Sequence, residues 1–204
     1  MTDLRALLGQ TDIYLVDQLM RGRIAPGMRI FDAGCGGGRN LVYFLREGYA
    51  VAGVDGDAAA VRAVRRLAAE WAPQLPAENF RHEAVEAHTF PRPCAEVVIS
   101  SAVLHFARDP EQFRAMLEAS WAALAPGGLF FCRLASSIGM EGQFRSLGGG
   151  RFALPDGSER YLVDAATLLS LTARLGGELL DPLKTTIVHD QRAMTTWVLR
   201  KKNS

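Results

Sequence analysis

Cysteine is scarce in this chain. Cys35, Cys94 and Cys132 are the only three in 204 residues, too few and too scattered for a disulfide framework. None has a second cysteine or a histidine at the short spacing that zinc sites use, so no structural metal is expected. An excess of charge of either sign is also missing, because 23 Lys and Arg against 22 Asp and Glu leave a net +1. No bulk field would draw in nucleic acid or an anionic membrane, and a small, near-neutral molecule is the expected partner. No apolar run approaches the roughly 18 residues of a membrane span. Met1-Thr2-Asp3-Leu4-Arg5 shows no basic stretch leading into an apolar core, so a cytoplasmic location is expected. Repeats and low-complexity tracts are absent too. What the chain does have is 49% hydrophobic residues, enough for a full core, and 20 glycines placed at turns. One domain over residues 1–204 is the expectation.

Apolar runs alternate with helical periodicity. Residues 11–21 carry Ile13, Leu15, Val16, Leu19 and Met20 mostly on one helical face and end at Gly22, so residues 1–26 read as an N-terminal helical cap. A strand is expected over 28–33, a helix over 40–47 and a strand over 50–54. Asp57 caps a helix to about Trp71, and a strand follows over about 79–85. Val97-Val98-Ile99 marks a central strand over 96–101, a β-branched run suited to burial on both faces. Asp109-Pro110-Glu111 opens a helix with cap, first-turn proline and dipole-favoured acid, and Pro126-Gly127-Gly128 is expected to end it before a strand over 129–134. These strand-helix units argue for a parallel sheet with helices on both faces.

The pattern changes after residue 135. Gly148-Gly149-Gly150 reads as a flexible stretch, and residues 152–163 as two short extended pieces about a Pro-Asp-Gly turn. Residues 136–163 are thus expected to be an inserted hairpin or lid. Asp164 caps one more helix, and strands over about 178–188 and 194–200 form an antiparallel pair at the sheet end.

Glycines 34, 36 and 38, directly after the first strand, allow positive φ and close approach of the backbone to a ligand. A dinucleotide fingerprint would place its third glycine at 39, which is Arg39, and a phosphate loop would need Gly-Lys-Ser/Thr, which is absent. Asp32 ahead of the glycines would repel a pyrophosphate but helps to hold a cationic amine. Asp55, at the end of the second strand, suits the 2′ and 3′ hydroxyls of a ribose. Together these features point to an amino-acid nucleoside.

Through Asp32-x-Gly34-x-Gly36-x-Gly38, Asp55 and Leu124-x-Pro126-Gly127-Gly128, the chain resembles the class I S-adenosylmethionine (SAM)-dependent methyltransferases over roughly residues 10–135. Within that class, Gly34-Cys35-Gly36-Gly37-Gly38-Arg39-Asn40 looks like the small tellurite-resistance and thiopurine-type enzymes. The resemblance implies a Rossmann-like α/β fold with a mostly parallel seven-stranded sheet whose last strand is antiparallel. It implies SAM as cofactor and S-adenosylhomocysteine as product. Asp32, Gly34, Cys35, Gly36, Gly38 and Asn40 would hold the methionyl part, Asp55 and Gly56 the ribose. Ala84, Val85 and Glu86, with Ser100 and Ala102 at the end of the fourth strand, would lie beside the adenine and the reacting methyl. The acid that often meets the adenine amino group falls on Ala84, leaving Glu83 or Glu86 to supply a carboxylate.

His105, leaving the fourth strand, is the candidate catalytic residue, as base or as orienter of the acceptor. Tyr14, Arg133, Arg151 and Tyr161 are candidate acceptor contacts. A small-molecule methyl acceptor is expected. Two alternatives stay open: a thiol or chalcogen oxyanion as acceptor, and a SAM-binding module without turnover.

Overall fold

A computed structural model describes residues 3–203. Two short helices open it, α1 (Leu4–Leu8) and α2 (Ile13–Met20), the second capped by Asp12, whose side chain accepts the Tyr14 N–H. Then follow β1 (Ile30–Ala33), α3 (Val42–Arg46), β2 (Val51–Asp55), α4 (Ala58–Trp71), β3 (Phe80–His82) and β4 (Ala95–Ser101). The chain continues through α5 (Pro110–Ala123), β5 (Leu124–Ser136), β6 (Arg145–Gly148), β7 (Arg151–Ala153), β8 (Glu159–Tyr161) and α6 (Ala165–Arg174). It closes with β9 (Gly177–Leu179), β10 (Lys184–Val188) and β11 (Arg192–Lys201).

Cap chemistry explains the helix starts. Asp57, Asp109 and Asp164 accept N–H groups of Ala59, Gln112 and Thr167, satisfying donors that a first turn leaves free. The main sheet runs β10-β11-β5-β4-β1-β2-β3, with β9 also paired to β11. Strands β1 to β5 pair in parallel, and β11 runs antiparallel to β5, β9 and β10. With β9 and β10 lying in turn along one edge of β11, eight segments occupy seven positions, and this is the expected Rossmann-like sheet.

Side-chain alternation divides the core between the two faces. Phe31, Val98, Phe130 and Trp197 pack with Phe113 and Leu117 of α5 and Leu168 of α6. Ile30, Val97, Ile99 and Phe131 pack on the other face with Leu15 of α2, Phe44 of α3 and Val64 of α4. Burying each such side chain contributes about 1.5–3 kcal/mol.

Four local expectations change. Helix α5 stops at Ala123, before Pro126-Gly127-Gly128, and the register jump from Ala95↔Leu124 to Val97↔Leu129 shows that these residues loop out within β5. The edge strand expected over 178–188 breaks into β9 and β10 around Asp181-Pro182, since proline brings no N–H to a ladder. The insertion carries three strands rather than two: β6 pairs with β7 and β7 with β8, and Gly149-Gly150 is the turn joining the first pair after Gly148 ends β6. Helix α3 begins only at Val42 and has five residues, so residues 34–41 form a long loop rather than a quick entry into a helix.

Candidate functional site

The carboxyl ends of β1, β2 and β4 face a cavity of about 870 Å³. It opens where β1 lies between β2 and β4, the point at which chain order reverses and open α/β sheets bind ligands. Of the residues singled out by sequence, Gly34, Cys35, Gly36 and Asn40 line it from the loop. Asp55 and Gly56 line it from the end of β2, Ala84, Val85 and Glu86 from the segment after β3, and Ala102 from the exit of β4.

The loop is built by backbone bonds. The N–H groups of Gly34 and Cys35 both donate to Val54 O at 2.9 Å. Gly34 has φ +92°, and a Cβ there would lie 2.4 Å from Val103, so glycine is required both by conformation and by contact. Gly36 also has positive φ, but a Cβ on it would meet nothing within 4 Å and would project into open space. Its N–H donates to Asp55 Oδ2 at 2.8 Å, while Asp55 Oδ1 accepts the Asp57 N–H at 2.8 Å. A phosphate loop would aim such an N–H at its ligand; here a carboxylate takes it. Each Asp55 oxygen keeps a lone pair for a hydroxyl donor.

Asp32 and Gly38 lie beneath the cavity wall rather than on it. Asp32 is buried, its Oδ1 has no hydrogen-bond partner among the described residues, and burial pushes its pKa up to about 7. Nearby Arg39 opposes that rise, and Asp55 adds to it. Gly38 packs against Val64 and Leu67 of α4. Burial raises the Cys35 thiol pKa, so Cys35 is a small space-filling group, not a nucleophile. Ser100 turns into the core and lines no part of the cavity; its neighbour Ser101 does. Glu86 is the acid that faces the cavity, with Oε1 accepting from Gln112 Nε2 at 2.7 Å, whereas Glu83 is engaged by Thr89.

A second cavity of about 290 Å³ adjoins the first and shares Ala102 and Phe106 with it. Ala102 has φ +63°, unusual for a residue with a Cβ, and its N–H donates to Arg133 O at 2.7 Å. This strained residue forms the partition between the cavities. His105 and Arg133 line the second cavity, as do Asp156, Arg160, Arg192 and Met194. A polar chain links the two sides: Arg39 donates to Ser101 Oγ at 3.2 Å, Ser101 Oγ to Asp12 Oδ2 at 3.3 Å, and Arg133 reaches the same Asp12 oxygen at 3.1 Å. The buried Asp12 is tied to the loop as well, its N–H donating to Asn40 Oδ1 at 3.0 Å.

Three candidate acceptor contacts lie elsewhere. Tyr14 Oη pairs with Thr186 at 2.6 Å and lines neither cavity. Arg151 donates to Ala107 O and pairs with Glu159, while Tyr161 stacks on Phe113 with centroids 4.7 Å apart. Arg151 and Tyr161 stand opposite each other in the β7–β8 register and so share a face, and neither lines a cavity. Arg160, another arginine of the insertion, and Arg192, at the start of β11, line the smaller cavity.

His105 is buried, and its Nδ1 accepts the Ala135 N–H at 2.9 Å. Burial first, then Arg160 and Arg192, hold its pKa down at about 4. A neutral ring whose Nδ1 is an acceptor carries its proton on Nε2. Of the two roles expected for His105, base and orienter of the acceptor, a donor Nε2–H fits the second.

The fold and the loop geometry define a class I methyltransferase architecture. Residues 30–128 match the family described as a methyltransferase domain. No curated protein matches the sequence. Among solved structures, the chain is similar to Burkholderia thailandensis 1,6-didemethyltoxoflavin-N1-methyltransferase with bound 1,6-didemethyltoxoflavin and S-adenosylhomocysteine (TM-score 0.72, 19% identity, covering 98% of this chain and 82% of that one). It is also similar to magnesium protoporphyrin IX methyltransferase from Synechocystis PCC 6803 with bound SAM (TM-score 0.68, 16% identity, 94% and 77% covered). A third similar structure is the [4+2]-cyclase SpnF (TM-score 0.70, 15% identity, 93% and 81% covered). The cyclase illustrates that fold alone does not fix a reaction.

Proposed function

We propose that the larger cavity holds SAM and the smaller one a small-molecule methyl acceptor. The observation that carries this reading is the shared wall: Ala102 and Phe106 border both cavities, so ligands in the two would meet there. The larger cavity falls in the size range of cofactor sites. The surroundings fit a cationic amino-acid nucleoside: Asp55 on the lining suits ribose hydroxyls, and Asp32 beneath the wall, its Oδ1 partnerless among the described residues, adds negative charge that favours an ammonium group close by. Val85 and Met116 offer apolar wall to the adenine and Glu86 a polar edge.

SAM supplies an electrophilic methyl on a sulfonium, so the work left to the protein is largely alignment. Loop 34–40 and Asp55 fix one reactant, and the lining of the smaller cavity fixes the other. The toxoflavin-precursor enzyme among the similar structures supports a small acceptor. A cytoplasmic site of action fits such a reaction, and among the described residues no helix is long and apolar enough to cross a membrane.

A crystal structure with S-adenosylhomocysteine tests the assignment. Density in the larger cavity with the ligand sulfur beside Ala102 is the expected result. Density in the smaller cavity, or a sulfur pointing away from the shared wall, would refute it.

A further inference from the structure

We infer that the smaller cavity takes its acceptor as a compact organic anion, gripped by Arg160 and Arg192 and by an N–H that His105 donates from Nε2. This rests on the reading of that cavity as the acceptor site. Three guanidinium groups, of Arg133, Arg160 and Arg192, line it against a single carboxylate, Asp156. Arg133 is neutralised by Asp12 at 3.1 Å and Arg192 by Asp156 at 3.3 Å. Arg160 has no acid within salt-bridge distance among the described residues; its guanidinium lies over the Phe106 ring at 4.7 Å and donates to Glu159 O at 2.7 Å. One positive charge therefore stays uncompensated at the wall shared with the larger cavity. Donors with no matching acceptors select an anionic oxygen. Leu154, Val188 and Met194 supply the apolar remainder of the lining, which suits an organic body rather than a bare inorganic ion.

The proton inventory leads to the same acceptor. With Nδ1 occupied by the Ala135 N–H, His105 has no free lone pair with which to accept a proton. Its depressed pKa, caused by burial and the two arginines, agrees with that state. Asp156 is a poor base, since hydrogen bonds from Ser158 chiefly, and Arg192, hold its carboxyl below the usual range. An acceptor that arrives ionised needs no base. Its lone pair forms the bond to the methyl carbon as the carbon–sulfur bond breaks, the electron pair stays on sulfur, and the anion and sulfonium charges cancel with no proton moved.

The test titrates benzoate, benzamide and selenite into protein saturated with S-adenosylhomocysteine, followed by calorimetry, for wild type, Arg160→Gln and Arg160→Lys. Benzoate is expected to bind at least about tenfold more tightly than its neutral isostere, a preference lost in Arg160→Gln and partly kept in Arg160→Lys. Equal binding of benzoate and benzamide, or no binding of either, overturns the anion assignment; selenite binding in place of benzoate overturns the organic body. Imidazole ¹⁵N spectra should show His105 protonated at Nε2 and bare at Nδ1, and the opposite tautomer removes its donor role. Saturation with S-adenosylhomocysteine is itself the control: its failure would count against the two-cavity reading, whereas anion indifference in the saturated protein counts against this inference alone.

Discussion

The Ala135 N–H and His105 Nδ1 are joined by a 2.9 Å hydrogen bond that ties the end of β5 to the turn leaving β4. Both groups are buried, so the bond fixes the imidazole tautomer and leaves neither partner with an easy substitute. His105→Ala strands the Ala135 N–H and is expected to cost about 1–3 kcal/mol in urea unfolding. An unchanged midpoint would show that the bond does not form.

The same bond sets a pH dependence. Histidine titrates near 6.5 when unfolded, and His105 is held at about 4 in the fold. The unfolded chain therefore binds the proton first, so this contribution to stability is complete above about pH 6.5 and is lost as pH falls toward 4. His105 ring proton signals should not shift between about pH 6 and 8. A titration centred near neutrality would contradict the buried, neutral ring.

Asp32 has the opposite sign. Its pKa rises from 3.8 to about 7 on folding, so the unliganded protein should lose stability as pH rises across that interval. Asp32→Asn should abolish this loss and be the more stable protein at about pH 8, yet bind S-adenosylhomocysteine more weakly by roughly 1–3 kcal/mol. Thermal melts at several pH values with calorimetry check both halves. An Asn variant that is more stable and binds equally well would remove Asp32 from the site.

The part of the fold governed by local chemistry was legible from sequence. Asp57, Asp109 and Asp164 cap helices where a side-chain oxygen precedes an apolar periodic run, and each accepts the expected kind of N–H. The glycine loop was legible because Gly34 must adopt a conformation that other residues avoid. Strand phase was not. Ser101, not Ser100, faces the larger cavity, and Arg160, not its neighbour Tyr161, faces the smaller one, each time an offset of one residue that reverses the face. Strand β6 went unseen because all four of its residues are exposed and carry no alternation. Helix α1 buries none of its residues and, at five residues, is too short for Leu4, Leu7 and Leu8 to mark a periodic stripe. Arg192 falls in an apparent hairpin connection, and the pairing of β10 with β11 places it at the smaller cavity.

Gly34 and Gly36 separate folding from binding. Gly34→Ala places a methyl 2.4 Å from Val103 at a positive φ and is expected to destabilise by about 2 kcal/mol or more, with partial relief on adding Val103→Ala. Gly36→Ala meets no neighbour and should cost only about 1–2 kcal/mol of backbone strain. Denaturant titrations of the three variants give the order; equal costs at 34 and 36 would show that the contact with Val103 is not close.

The most direct measurement is calorimetric titration of S-adenosylhomocysteine into wild type and Gly36→Ala, with NAD as a parallel ligand. Gly36 lines the larger cavity and a methyl on it meets no protein atom, so the variant should stay folded and bind at least about tenfold more weakly, while NAD gives no heat of binding in either protein. Undiminished affinity in folded Gly36→Ala, or NAD binding in preference to S-adenosylhomocysteine, would contradict the placement of SAM against this loop.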